Sequence, residues 1–183
     1  MEGLLRQTNL WDERKKKLGT YSGGMKQRFG IAQALLGDPR LMIVDEPTAG
    51  LDPTERNRFL NLLSSIGDKV IVILSTHIVD DVRELCSRMA IIHEGELIEE
   101  GVPEQSIQRL AGSIWKKTVA DGELERMGES GPRLVSTHLI GGRTEARVYS
   151  EGAPGDGFIP AEANLQDVYF LSLARRKRNG SGN

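Results

Sequence analysis

Short apolar runs alternate with amphipathic stretches through the first two thirds of the chain. Leu41-Met42-Ile43-Val44 and Val70-Ile71-Val72-Ile73-Leu74 show no polar alternation, the pattern of buried parallel strands that are apolar on both faces. Between them Phe59, Leu62, Leu63 and Ile66 recur at i, i+3, i+4 and i+7, one stripe of a helix that ends before Gly67. A second helix is predicted after Leu74, with Ile78, Val82, Leu85 and Met89 on one face. An earlier one is predicted from Met25, Phe29, Ala32 and Leu36. Met89 to His93 and Glu96 to Ile98 flank Glu94-Gly95, which predicts a hairpin with His93 as one of its residues.

Beyond Pro103 and a short helical stretch to Ala111 the texture changes. Ile114 to Val119, Leu134 to Ile140 and Glu145 to Ser150 read as half-exposed strands between Gly-rich turns. Residues 153–160 read as a loop, and Leu165, Val168, Tyr169 and Leu173 predict a closing helix. The expected organisation is a helical segment over 1–38, an α/β portion over 39–111, a small α+β accessory domain over 112–174 and a disordered basic tail over 175–183. No internal repeat is evident.

Composition narrows the function classes. The chain has 183 residues and a hydrophobic share of 38%, enough for a core. Lys and Arg number 24 against 26 Asp and Glu, a formal charge of -2, which argues against a nucleic-acid partner held by bulk positive charge. A single cysteine, Cys86, excludes an intramolecular disulfide and the usual cysteine zinc frameworks, and points to a reducing, cytosolic compartment. The longest aliphatic run, Val70 to Leu74, is far short of the ~20 residues that span a bilayer. The first ten residues lack the apolar core of a signal peptide.

Four short segments carry candidate chemistry. Tyr21-Ser22-Gly23-Gly24-Met25-Lys26-Gln27-Arg28 runs into a predicted helix, so bare backbone N–H groups can meet a phosphate; taken alone, Ser22 with its permissive glycines reads first as an ordinary N-cap. Leu41 to Pro47 ends a buried strand in Asp45-Glu46, where open α/β sheets bind ligands. Asp45 suits Mg²⁺ and Glu46 suits an attacking water; an exposed acidic turn is the plainer alternative. In Ala49-Gly50-Leu51-Asp52-Pro53, Asp52 is a ready N-cap with Pro53 at the first helical position and Glu55 three residues on. Ser75-Thr76-His77 closes the second strand, and its imidazole would lie beside the carboxylates if the two strands are neighbours. The same tripeptide recurs at Ser136-Thr137-His138 in a half-exposed strand, so position rather than letters singles out His77.

Together, and in this order along the chain, these segments resemble the ATP-binding cassette (ABC) ATPases of ABC transporters. Residues 21–28 match the signature motif, 41–46 the Walker B strand, 49–52 the D-loop and 75–77 the switch-histidine loop. The resemblance covers about residues 1–111. It implies the C-terminal part of a P-loop NTPase fold, α/β with helices around a mostly parallel sheet, and ATP and Mg²⁺ as cofactors. It further implies Ser22, Gly23, Gly24, Gln27 and Asp52 on the nucleotide side, Asp45 as the Mg²⁺ partner, Glu46 as catalytic base and His77 as γ-phosphate sensor. Tyr21 and Met25 depart from the commoner Leu and Gln of the signature, while the phosphate-facing Ser-Gly-Gly is intact.

None of the 21 glycines is followed by Lys, so the P-loop Gly-x₄-Gly-Lys-Ser/Thr is not among these residues. A sheet without the strands that accompany a P-loop would expose the edge and one face of the Leu41 strand. In the family the nucleotide lies between the P-loop of one subunit and the signature of the other. The implied partners are therefore a second cassette and a membrane permease, with the chain on the inner face of the cell membrane. The expected function is ATP hydrolysis that powers transport, with export suggested by the likeness of Asn164 to Leu171 to the closing helix of multidrug- and antibiotic-exporter ATPases. The expected state of residues 1–183 is a truncated cassette, inactive alone. The alternatives are a non-catalytic module that lends its signature to a complete cassette, and a piece of a soluble ABC ATPase of repair or translation.

Overall fold

A computed structural model describes residues 1–120, 122–124, 132–155 and 157–180, with side chains to residue 174. The contacts divide the chain into two units, Met1–Leu85 and Cys86–Asn183.

In the first unit α1 (Glu2–Gln7) leads through turns and a short 3-10 segment to α2 (Gly23–Ala34). Then follow β1 (Leu41–Asp45), α3 (Pro53–Gly67), β2 (Ile71–Ser75) and α4 (Val79–Leu85). β1 and β2 pair in parallel with Leu41 opposite Ile71 and Asp45 opposite Ser75, so α3 is the crossover of a βαβ unit. Its start is built as the sequence predicts: the Asp52 side chain accepts from Glu55 N–H at 2.9 Å and Pro53 opens the helix. The predicted stripe, Phe59, Leu62, Leu63 and Ile66, is buried against Met42 and Ile31 as the core of this unit.

The structure corrects three expectations about these elements. The strands are not covered on both faces: Met42 turns inward, while Ile43 is 72% and Ile71 67% exposed, with Leu41 and Ile73 also open. Helices α2 and α3 supply cover for one face only, which is the exposure expected of a sheet without further strands. The buried face of α2 is Gly24, Arg28, Ile31 and Ala32; of the predicted Met25, Phe29, Ala32 and Leu36 only Ala32 is on it, because Arg28 is drawn to Glu55 on α3. Met89 begins a strand and does not extend α4, which ends at Leu85.

In the second unit β3 (Met89–His93) and β4 (Glu96–Gly101) form the predicted hairpin. Glu94 and Gly95 both have positive φ, 50° and 78°, the twist a two-residue hairpin turn requires. His93 is a hairpin residue, 3.9 Å from Glu94. After α5 (Pro103–Gln108), the strands β5 (Ile114–Val119), β6 (Arg133–Ile140), β7 (Arg143–Tyr149) and β8 (Ile159–Pro160) form an antiparallel sheet ordered β6-β7-β5-β8.

The closing helix α6 (Leu165–Gly180) starts from a reciprocal cap: Asn164 N–H donates to Asp167 Oδ2 and Asp167 N–H to Asn164 Oδ1, each at 2.9 Å. Asp167 is also paired with Arg147 of β7, at 2.9 and 2.6 Å. That hydrogen bond raises the Arg147 pKa above its ordinary value, against the lowering effect of burial. Ser172 donates to Glu99 of β4. The segment expected as a disordered tail from residue 175 is helical to Gly180, since Ala174, Arg175, Arg176, Lys177 and Arg178 are good helix formers; residues 181–183 lie outside the described residues.

Candidate active site

The parallel register sets the centre of the site. With Asp45 opposite Ser75, the strand ends bring the acid pair and Ser75-Thr76-His77 side by side, as expected of neighbouring strands. The Ser75 hydroxyl donates to Asp45 Oδ1. Glu46 leaves β1 at φ 45°, in the left-handed region that side-chain-bearing residues rarely occupy, and its N–H donates to Ser75 O at 2.9 Å. This turn aims the Glu46 carboxylate at His77. Oε1 accepts from His77 N–H at 3.1 Å and Oε2 lies 2.7 Å from His77 Nδ1. A carboxylate can only accept, so Nδ1 carries the proton and Nε2 is left for another group. His77 is largely exposed, so the pair is worth little to stability, about 0–1 kcal/mol, and its value lies in placement.

Gln27 reaches this centre from α2. Its Nε2 donates to Ala49 O at 3.3 Å, and it lines an open groove of about 230 Å³ together with Ile31, Met42, Phe59, Asp45 and Glu46. Its Oε1 is buried without a hydrogen-bond partner, an acceptor left open on a residue that lines the same groove as Asp45 and Glu46.

The remaining predicted residues lie at helix starts. Ser22 caps α2, its Oγ accepting from Met25 N–H at 3.2 Å, so capping and exposure of the first-turn N–H groups coexist. Gly23 has open space where a Cβ would be. At Gly24 a Cβ would lie 2.5 Å from Glu55 Oε2 and 3.3 Å from Glu55 Cβ. The second glycine is thus required by the packing of α2 on α3, where Arg28 and Glu55 form a largely buried ion pair. Asp52 caps α3 next to this contact. Among the described residues no hydrogen bond joins Ser22, Gly23 or Gly24 to Asp45, Glu46 or His77. The second Ser-Thr-His tripeptide behaves differently: His138 Nε2 meets Ser136 within its own strand, 3.1 Å away.

Two contacts were not legible in the sequence. Glu55 reads there as a capping-box acid, yet it anchors Arg28. Asp81 is not singled out by the sequence; the structure makes it one of two acids in the first turn of α4, a common arrangement. In the structure it is 1% exposed and bonded to Thr48 and Arg56.

No cluster of three or more His, Cys, Asp or Glu that could hold a metal occurs among the described residues. Asp45, with one oxygen engaged by Ser75, nevertheless fits Mg²⁺, which is held through one or two carboxylates plus substrate phosphates rather than an all-protein cage. The open Gln27 acceptor fits the same polar surroundings.

The βαβ unit thus brings an acid pair at the end of one parallel strand beside a histidine at the end of its neighbour, an α/β arrangement with its polar groups gathered at the strand ends. A family model described as "ABC transporter" matches residues 1–49. The Nod factor export ATP-binding protein I of Burkholderia pseudomallei is 32% identical over 95% of this chain and 60% of its own length. The linearmycin resistance ATP-binding protein LnrL of Bacillus subtilis is 39% identical over 60% of this chain and 35% of its own. Among solved structures, cbiO1 from Clostridium perfringens, part of the ABC transporter complex cbiONQ, superposes with a TM-score of 0.54 at 32% identity, over 57% of this chain and 42% of that one. The chain belongs to the ABC transporter ATP-binding family, a family of ATPases with the P-loop NTPase fold. It spans about 60% of the length of the Nod factor export relative. Among the described residues no helix is long and apolar enough to cross a membrane.

Proposed function

We propose that these residues supply the signature and catalytic-carboxylate segments of an ATP-hydrolysing subunit that powers export through a membrane permease. The observation that carries the reading is the Glu46–His77 pair beside Asp45 at the ends of two adjacent parallel strands. In it Glu46 takes the proton of the attacking water at a carboxylate oxygen, while the bond from Nδ1 holds His77 with Nε2 free to meet the γ-phosphate. Asp45 holds Mg²⁺, which when bound supplies charge neutralisation on the phosphates. Ser22 Oγ and the first-turn N–H groups of α2 face the nucleotide of a second cassette, the helix dipole favouring the anion by roughly 0.3–1 kcal/mol. Gln27 lies on the nucleotide side beside the acid pair, and Asp52 sits at the interface between cassettes.

The P-loop comes from residues outside these 183, consistent with the share of the relatives spanned. The subunit works at the cytoplasmic face of the membrane, and export is the direction printed in the name of the Nod factor relative.

The test is Glu46→Gln in the full-length subunit. ATP hydrolysis drops at least ~100-fold while ATP binding stays within a few-fold of wild type. Unchanged turnover would overturn the assignment. Robust Mg²⁺-dependent hydrolysis by residues 1–183 alone, abolished by the same substitution, would overturn the external P-loop.

A further inference from the structure

Asp81 is a buried carboxylate that the proposed chemistry does not use. It is 1% exposed and satisfied from two directions: the Thr48 hydroxyl, itself 2% exposed, donates to Oδ2, and Arg56 Nε donates to Oδ1 at 2.7 Å. Arg56 also lies 3.7 Å from Glu84, one helical turn further along α4. The bond to Asp81 raises the Arg56 pKa, with burial opposing and the charges of Asp81, Glu84 and Asp80 adding to it.

The positions of the three members matter more than their strength. Thr48 lies two residues after Glu46, in a loop closed by Ala49 N–H to Glu46 O and Leu51 N–H to Thr48 O, both at 3.2 Å. Arg56 stands one turn into the helix that Asp52 caps, its N–H donating to Asp52 O at 2.8 Å. Asp81 stands four residues after His77, and its N–H donates to Ile78 O at 3.1 Å. A hydrophobic trio of similar volume would hold these elements together as well, and often better, because burying charge is costly. What the charged trio adds is direction: a hydroxyl and a guanidinium meet a carboxylate in one geometry.

We propose that Asp81 is a positioning residue that ties the loop bearing Glu46 and Asp52 to the segment bearing His77, through Thr48 and Arg56, and so sets the reach of His77 to Glu46. The catalytic consequence rests on the function proposed above; the mechanical tie does not. If either segment moves when nucleotide meets Asp52 or His77, Asp81 passes the movement to the other.

The decisive variant is Thr48→Val, which removes one hydroxyl at nearly constant volume, with Thr48→Ser as the conservative rescue. In residues 1–183, amide hydrogen exchange at Ala49, Leu51 and Ile78 quickens at least tenfold in Thr48→Val, while Phe59 to Ile66 in α3 keep their rates. Asp81→Asn gives the same local pattern. In the full-length subunit Thr48→Val lowers kcat for ATP about tenfold with KM within twofold, and Thr48→Ser returns kcat to within twofold of wild type. Unchanged exchange at Ala49 and Leu51, or uniform quickening through α3, overturns the tie, the second outcome marking a general packing role. A fall in kcat that Thr48→Ser does not rescue overturns positioning by the hydroxyl. Absence of ATP turnover in the wild-type subunit overturns the proposed function, and the exchange data then still decide the tie.

Discussion

Gly23 and Gly24 are adjacent, identical in type and equally placed in the sequence to admit a phosphate, yet replacing each by alanine has opposite consequences for folding. At Gly23 the added methyl enters open space and the backbone is ordinary helix. The gain is the helix-propensity difference, ~0.5–1 kcal/mol. At Gly24 the same methyl lies 2.5 Å from Glu55 Oε2, 3.2 Å from Cδ and 3.3 Å from Cβ. The carboxylate tip can swing aside, but it is the partner of Arg28, and the two side chains are only 9% and 18% exposed. Overpacking costs ~1–3 kcal/mol, and weakening a buried ion pair adds to that, since a complete break costs ~3–5 kcal/mol. After the propensity gain, Gly24→Ala loses about 1–3 kcal/mol, and the two variants differ by roughly 2–4 kcal/mol. Urea unfolding of residues 1–183, followed by far-UV circular dichroism with the slope shared between variants, measures this difference directly. Shortening the obstacle in Gly24→Ala/Glu55→Ala recovers part of the loss through non-additivity. Two alanine variants within ~0.5 kcal/mol of each other would refute the packing argument and return both glycines to ligand approach alone.

Three further outcomes follow from particular contacts. Asp52→Ala removes the cap that Glu55 N–H depends on and lowers stability by ~1 kcal/mol, read from a thermal melt; no change would mean that the cap is replaced by solvent. Arg147→Ala strands the buried Asp167 and costs ~3–5 kcal/mol. Because the folded-state pKa of Arg147 is raised, its stabilisation is complete at every pH below the ordinary guanidinium value and is lost only above it, so unfolding from pH ~7 to ~10 shows no loss of the Arg147 contribution. Ile43→Thr and Ile73→Thr each shift stability by no more than ~0.5 kcal/mol and reduce self-association in sedimentation, because both side chains are on the open face of β1 and β2; a loss above ~2 kcal/mol would mean that the face is covered.

Much of the architecture could be read from local signals. The stripe through Phe59 and Ile66, the Glu94-Gly95 hairpin and the Asp52-Pro53 helix start all depend on residues a few positions apart, where periodicity and turn chemistry are decisive. The misreadings share one cause. Met89 continues a 3.6-residue apolar pattern but belongs to a strand, because a helical period does not register where a neighbouring segment begins to pair. Arg28 would be placed on the solvent side of α2 by polarity, and Glu55 brings it inward.

The amino-acid sequence by itself determined most of the elements, the capped start of α3 and which residue types reach the ends of the two parallel strands. Tertiary structure alone decided that one face of that sheet is packed and the other open, that Gly24 serves helix packing while Gly23 stays free, that Glu46 turns back onto His77, and that Asp81 joins Thr48 to Arg56. The division follows from distance along the chain. Propensity and periodicity act within a turn or a strand, whereas these contacts join residues some 25 to 33 positions apart, which meet only once α2, α3 and α4 have packed.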